Sequence, residues 1–147
     1  MEKQEFENLI AQAVEALPSS IRKKMDNVGI VLEEGESPNN SLFGLYHGIS
    51  QARRGSSYGM NPTLPDKITI YKATIEKFAL RPFRQTHGGQ VVSNAEPQAQ
   101  GLSAGDEELA IRSLVRRVVW HEIGHHFGFD EAKIRKLERK WEKEGKV

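Results

Sequence analysis

The sequence predicts an α+β domain in which a small mixed or antiparallel sheet lies beside one long helix, with amphipathic helices at both ends. Three observations predict it. Apolar residues recur at helical spacing near both termini, short β-branched runs occupy the middle of the chain, and an apolar stripe beginning at Leu109 runs into His121-Glu122-Ile123-Gly124-His125. With 147 residues, the chain suits one domain, 1–147, long enough to bury a hydrophobic core.

Taken in order, Phe6, Leu9, Ile10, Ala13, Val14 and Leu17 follow a helical period that Pro18 stops. Ser19 or Ser20 caps a short helical turn after it. Val28, Ile30 and Leu32 alternate with their neighbours as a strand between the turn residues 26–27 and 33–35. A second strand is expected over 42–47, where Gly44 marks a bulge or a close backbone approach. Residues 51–65 read as a polar connection, and the β-branched run 67–71 as the clearest strand. A short helix over 73–79 ends before Pro82. From 81 to 101 no periodicity is present, and a connection of that length is either a functional lid or disordered. Ser103 and Asp106 form an S-x-x-D helix start, with Asp106, Glu107 and Glu108 complementing the helix dipole. Stepping back from His121 by three, seven and ten residues meets Val118, Leu114 and Ile111, so this helix is expected to be buried together with its His pair. Ile134, Leu137 and Trp141 then give a final amphipathic helix, its charges, Glu138 among them, forming a solvated face of ion pairs.

The chemistry centres on residues 121–131. Positions four apart share a helix face, so His121 and His125 can present imidazole nitrogens to one metal ion. Glu122, about 100° round the helix, can reach a water at that ion as a general base. This is the H-E-x-x-H pattern of zinc hydrolases. At this chain's composition it arises by chance about once in fifty sequences, and about once in six hundred with Gly128 included, which disfavours histidines that are merely packed in the core. Catalytic zinc takes three protein ligands. Gly128 can reverse the chain at the helix end, so that Glu131 supplies the third, with Asp130 as the competitor one residue earlier. With no cysteine, any zinc site is restricted to His and carboxylate and no disulfide framework exists. His126 lies a further 100° round and is expected to be structural or to support a ligand by a hydrogen bond.

Lys plus Arg number 21 and Asp plus Glu 20; this balance gives no reason to expect a nucleic-acid partner. The charged N-terminus and the lack of any long apolar run predict a soluble, cytoplasmic protein with no membrane partner. Oligomeric state is not legible.

The segments Leu42-Phe43-Gly44-Leu45-Tyr46-His47-Gly48, Arg54-Gly55-Ser56-Ser57-Tyr58, Leu64-Pro65-Asp66-Lys67-Ile68-Thr69-Ile70-Tyr71 and His121-Glu122-Ile123-Gly124-His125-His126-Phe127-Gly128 together resemble the small bacterial zincin-like metallopeptidases. The resemblance spans roughly residues 28–131. It implies a minimal zincin-like fold, zinc on His121 and His125, and hydrolysis of peptide or protein substrates. That family more often carries Asp where this chain has Glu131. A metzincin is a poorer match, because no methionine follows Met60. Gly-Phe-Asp-Glu at 128–131 also resembles part of the motif of bacterial ribosomal-RNA maturation nucleases, but those lack the Glu after the first His and end in a third His. A metal-holding regulatory module with the same fold is the alternative from outside enzymes.

For a peptidase, the substrate is expected along an exposed edge strand, 67–71 or 42–47. Tyr46, Tyr58, Arg81 and His87 are the residues near the cleft that could stabilise a transition state, although packing or solvation is the more ordinary role of each. The 81–101 segment is a candidate gate for the metal.

Overall fold

The computed structural model describes residues 1–60, 63–80 and 103–144. Helix α1 (Lys3–Glu15) closes its first turn with a reciprocal capping box between Glu2 and Glu5, and is followed by the short α2 (Ser19–Arg22). Strands β1 (Val28–Glu33), β2 (Gly44–His47) and β3 (Asp66–Tyr71) form one sheet in the order β1-β3-β2. A 3-10 turn, Gln51–Arg53, lies between β2 and β3. Helix α3 (Lys72–Ala79) leaves β3 directly, and α4 (Ala104–Phe127) and α5 (Glu131–Glu144) complete the order. Among the described residues no helix is long and apolar enough to cross a membrane.

The sheet is mixed. β1 runs parallel to β3, with Ile30 opposite Ile68, and β2 runs antiparallel, with Tyr46 opposite Ile68. β3 is therefore central, which its sequence explains: Ile68, Thr69 and Ile70 are all buried, as a strand flanked on both sides requires. This corrects one expectation. Residues 67–71 cannot receive a peptide, because both backbone edges are already paired; among the described residues β2 is an edge. The Tyr71 N–H donates to the Phe43 carbonyl at 3.0 Å. Antiparallel alternation then turns the backbone groups of Phe43, Leu45 and His47 toward β3, and those of Gly44 and Tyr46 toward the open side.

Helix α4 is the spine of the molecule. Its start is the expected capping box, with Asp106 N–H donating to Ser103 Oγ at 3.2 Å and Ser103 N–H to Asp106 Oδ2 at 3.3 Å. Val115, Val119 and Ile123 pack with Phe6 of α1 and Ile68 and Ile70 of β3 in the fully buried core. The Trp120 indole N–H donates to the Ala13 carbonyl at 2.7 Å and ties α4 to α1. At the far end Gly128 takes φ 86°, and Phe129 N–H closes back to the Gly124 carbonyl at 3.1 Å.

Candidate metal centre

Two glycines decide how closely the neighbouring elements approach α4. A Cβ on Gly44 would stand 2.8 Å from Val118 Cγ1 and 3.1 Å from Glu122 Cγ, so the expected close approach is that of β2 to the motif helix. A Cβ on Gly124 would stand 2.7 Å from Ile134 Cγ1, so α5 packs against the helix on its other side. The Gly128 turn reverses the chain between them.

That reversal brings Glu131 to the two histidines. Its Oε1 lies 3.3 Å from His121 Nε2 and 3.3 Å from His125 Nε2, and the three donor atoms all fall within 4.8 Å of one another. Donors about 2.0–2.2 Å from an ion in tetrahedral directions are themselves roughly 3.3–3.6 Å apart. The two Glu131–His separations match that spacing, and the composition of the set, two imidazoles and a carboxylate, suits zinc. Asp130 is not part of it; its Oδ1 accepts the Lys133 N–H at 2.8 Å and caps α5.

The His pair is not buried as the stripe behind it suggested. Each ring is about a third exposed, His121 31% and His125 33%, at the floor of an open cleft. Glu122 is the buried member, 8% exposed. Burial raises the pKa of its carboxyl, opposed by His125, by His121 and by a hydrogen bond from the Tyr46 backbone N–H. The edge strand thus touches the glutamate directly.

Glu138 was missed by the sequence reading. It is 18% exposed, and its Oε1 lies 3.4 Å from His121 Nδ1. A hydrogen bond from His121 to Glu138 is the main cause of the raised His121 pKa; burial opposes it, and the charges of Glu131 and Glu122 add to it. A carboxylate on the far nitrogen holds an imidazole with Nε2 free for a cation. The signal was in the spacing. Glu131, Ile134, Glu138 and Trp141 stand at i, i+3, i+7 and i+10, so the face of α5 that docks on α4 carries two carboxylates among its apolar anchors.

His126 has the structural role expected of it. It is completely buried, and its Nε2 receives the Asp26 N–H at 3.3 Å and the Gln51 amide at 3.0 Å, which leaves Nδ1 to donate to Asp66 at 2.9 Å. Asp66 also accepts from the Tyr46 hydroxyl, from Ile49 N–H at 3.1 Å and from Arg54 Nη2 at 3.1 Å. Burial together with this bond raises the pKa of the Tyr46 phenol and holds its proton. Tyr46 is therefore committed through its hydroxyl to Asp66, and Tyr58 is stacked under the Arg54 guanidinium at 4.2 Å with its hydroxyl bonded by Asn27 at 2.8 Å. Neither hydroxyl is placed to stabilise a transition state. Arg81, His87 and the 81–101 segment lie outside the described residues.

The cleft has a volume of about 570 Å³ and runs along β2 over His121, Glu122 and His125 to the 3-10 turn. Three donors closing on one point beside a buried glutamate, next to the edge of a small mixed sheet, define a metal-binding fold of the H-E-x-x-H class. The chain belongs to the zincin-like metallopeptidase family, whose model matches residues 25–93 and 96–141. No curated protein matches it.

Proposed function

We propose that the protein is a zinc-dependent peptidase in which His121, His125 and Glu131 hold the metal and Glu122 is the general base. The convergence of the three donors beside the buried Glu122 carboxylate carries this reading. Held by His121, His125 and Glu131, zinc would supply Lewis acidity toward a water and the scissile carbonyl. Glu122 takes the water's proton on its carboxylate and passes it to the leaving amine; burial, by raising its pKa, brings its proton affinity nearer that task. The Tyr46 N–H orients the same carboxylate. Glu138 holds the His121 ring, and the remaining outward backbone groups of β2, those of Gly44 and the Tyr46 carbonyl, receive an extended peptide by strand addition. Peptide or protein is accordingly the substrate class proposed, with no nucleic-acid partner.

Zinc content and peptide-library cleavage test the reading together. Glu122→Gln is expected to keep one zinc per chain and to lose at least about 100-fold in turnover. His121→Ala and His125→Ala are expected to lose the zinc, Glu131→Ala to bind it more weakly, and Asp130→Ala to keep it. Full hydrolysis by zinc-loaded Glu122→Gln would remove the proposed base. Zinc retained by both histidine variants would remove the site.

A further inference from the structure

Two adjacent arginines end the 3-10 turn in opposite ways. Arg54 is locked. Its guanidinium donates to Asp26 Oδ2 at 3.0 Å, to the Asp26 carbonyl at 3.1 Å and to Asp66 at 3.1 Å, its Nε donates to the Ile49 carbonyl at 3.1 Å, and it stacks on Tyr58. Arg53 is exposed, lines the cleft, and among the described residues its side chain has no hydrogen bond or ion pair.

The backbone beneath Arg53 is fixed. Ala52 and Ser50 sit against Gly128 so closely that a Cβ there would stand 2.6 Å from Ala52 Cβ, and Gln51 donates to His126 and to the Lys24 carbonyl. Arg53 is thus an unpaired cation mounted on a turn that rests on the end of the metal helix. It is the one Lys or Arg among the described residues lining the cleft. Around the histidines the charges are carboxylates, Glu122, Glu131 and Glu138, and the other cation close to the cleft, Lys133, is held over the Phe129 ring at 4.0 Å. At the opposite end Leu42 and Leu45 line the cleft and leave apolar surface exposed.

We propose that Arg53 determines specificity, selecting peptides that carry a carboxylate on the side of the scissile bond facing the 3-10 turn and an apolar side chain on the other. A guanidinium reads a carboxylate through paired N–H donors, a geometry lysine cannot reproduce. The carboxylate comes from an Asp or Glu side chain or from the peptide's own C-terminus. The inference rests on the peptidase reading, so its test must report binding as well as turnover.

Zinc-loaded Glu122→Gln is titrated, by fluorescence anisotropy, with labelled, amidated alanine-leucine heptapeptides in which one Glu is moved position by position, against Gln counterparts. The neutral peptide with a free C-terminus forms a separate arm. Tighter binding of about 5–10-fold is expected for Glu at positions on one side of the bond that wild-type enzyme cleaves, or for the free C-terminus, which distinguishes the two sources. Adding Arg53→Ala removes the difference, and Arg53→Glu reverses it toward Lys-containing peptides. Equal binding of Glu and Gln peptides, or an acidic preference that survives Arg53→Glu, overturns the inference while leaving the peptidase reading intact. No binding of any peptide to the zinc-loaded protein overturns both.

Discussion

Asp66 shows how much one side chain can hold in place. It is 2% exposed, and it joins the Tyr46 hydroxyl, His126, the Ile49 N–H and Arg54 at one carboxylate. Through these it fixes β2, the residues that follow β2 and the end of the metal helix against one another. Gly48 allows that contact, since a Cβ there would collide with the Asp66 side chain. Burial alone would raise the Asp66 pKa, but the hydrogen bonds from Tyr46, His126 and Ile49 and the charge of Arg54 outweigh it and hold it below its ordinary 3.8. A depressed folded-state pKa contributes stability above the unfolded value and loses it as pH falls through the folded one. Asp66→Asn is therefore expected to cost about 3 kcal/mol at pH 7 in urea unfolding, because it leaves Arg54 without a buried partner. The gap between wild type and variant should narrow only below pH 3.8. A gap that narrows instead between pH 6 and 8 would place the relevant titration elsewhere.

At the scale of elements, α5 is the piece that completes the candidate metal centre. It docks through Ile134 into the space left by Gly124 and through Trp141 edge-on to Trp120, with ring centroids 5.9 Å apart, and so carries Glu131 and Glu138 to the histidines. Gly124→Ala should gain up to about 1 kcal/mol in helix propensity but lose about 1–3 kcal/mol to the clash with Ile134, and the displaced α5 should bind zinc more weakly. Glu138→Ala tests the other anchor. It is expected to lower zinc affinity about 10- to 100-fold in chelator competition with little change in the melting of the metal-free protein, and Glu138→Gln, which still accepts from Nδ1, should recover part of it. Unchanged affinity in Glu138→Ala would make the contact incidental. What the sequence made legible follows the same division. The Ser103 cap, the periods of α1 and α4 and the His121–Glu122–His125 spacing are rules of local chain geometry, and each is found in the structure, whereas α2 begins at Ser19 behind Pro18, with no serine side chain capping it. The sheet order is set by pairing between strands 38 residues apart for β1 and β3 and 20 to 26 apart for β2 and β3, which no rule of local chain geometry reaches. Glu138 looks like a solvated charge when α5 is sorted by charge alone; what sets its role is its place on the stripe of Ile134 and Trp141 that docks on α4.

For the molecule as a whole, the donors come from two helices joined by the 128–130 turn, and this couples metal binding to the packing of the C-terminal segment. His121 and His125 lie on α4, which is rooted in the core through Val115, Val119 and Ile123; Glu131 and Glu138 lie on α5, for which Ile134 and Trp141 are the buried anchors. The carboxylates of Glu122, Glu131 and Glu138 all act on the His121 ring, and Glu131 also on that of His125. A cation held by His121, His125 and Glu131 would add attraction across the helix pair. A ligand that binds only the folded form stabilises it by RT ln(1 + [L]/Kd), about 2.7 kcal/mol at a hundredfold excess over Kd, so zinc should raise the melting temperature and a chelator reverse it. The gain should also be local in the native state. Backbone amides of α5 are expected to exchange with deuterium more slowly in zinc than in chelator, while those of β3 and the middle of α4, whose opening already requires loss of the core, change less. His125→Ala should abolish the difference. Uniform slowing along the whole chain would instead mean that α5 opens only with the entire molecule, and that the metal stabilises a single cooperative unit rather than fastening its last helix.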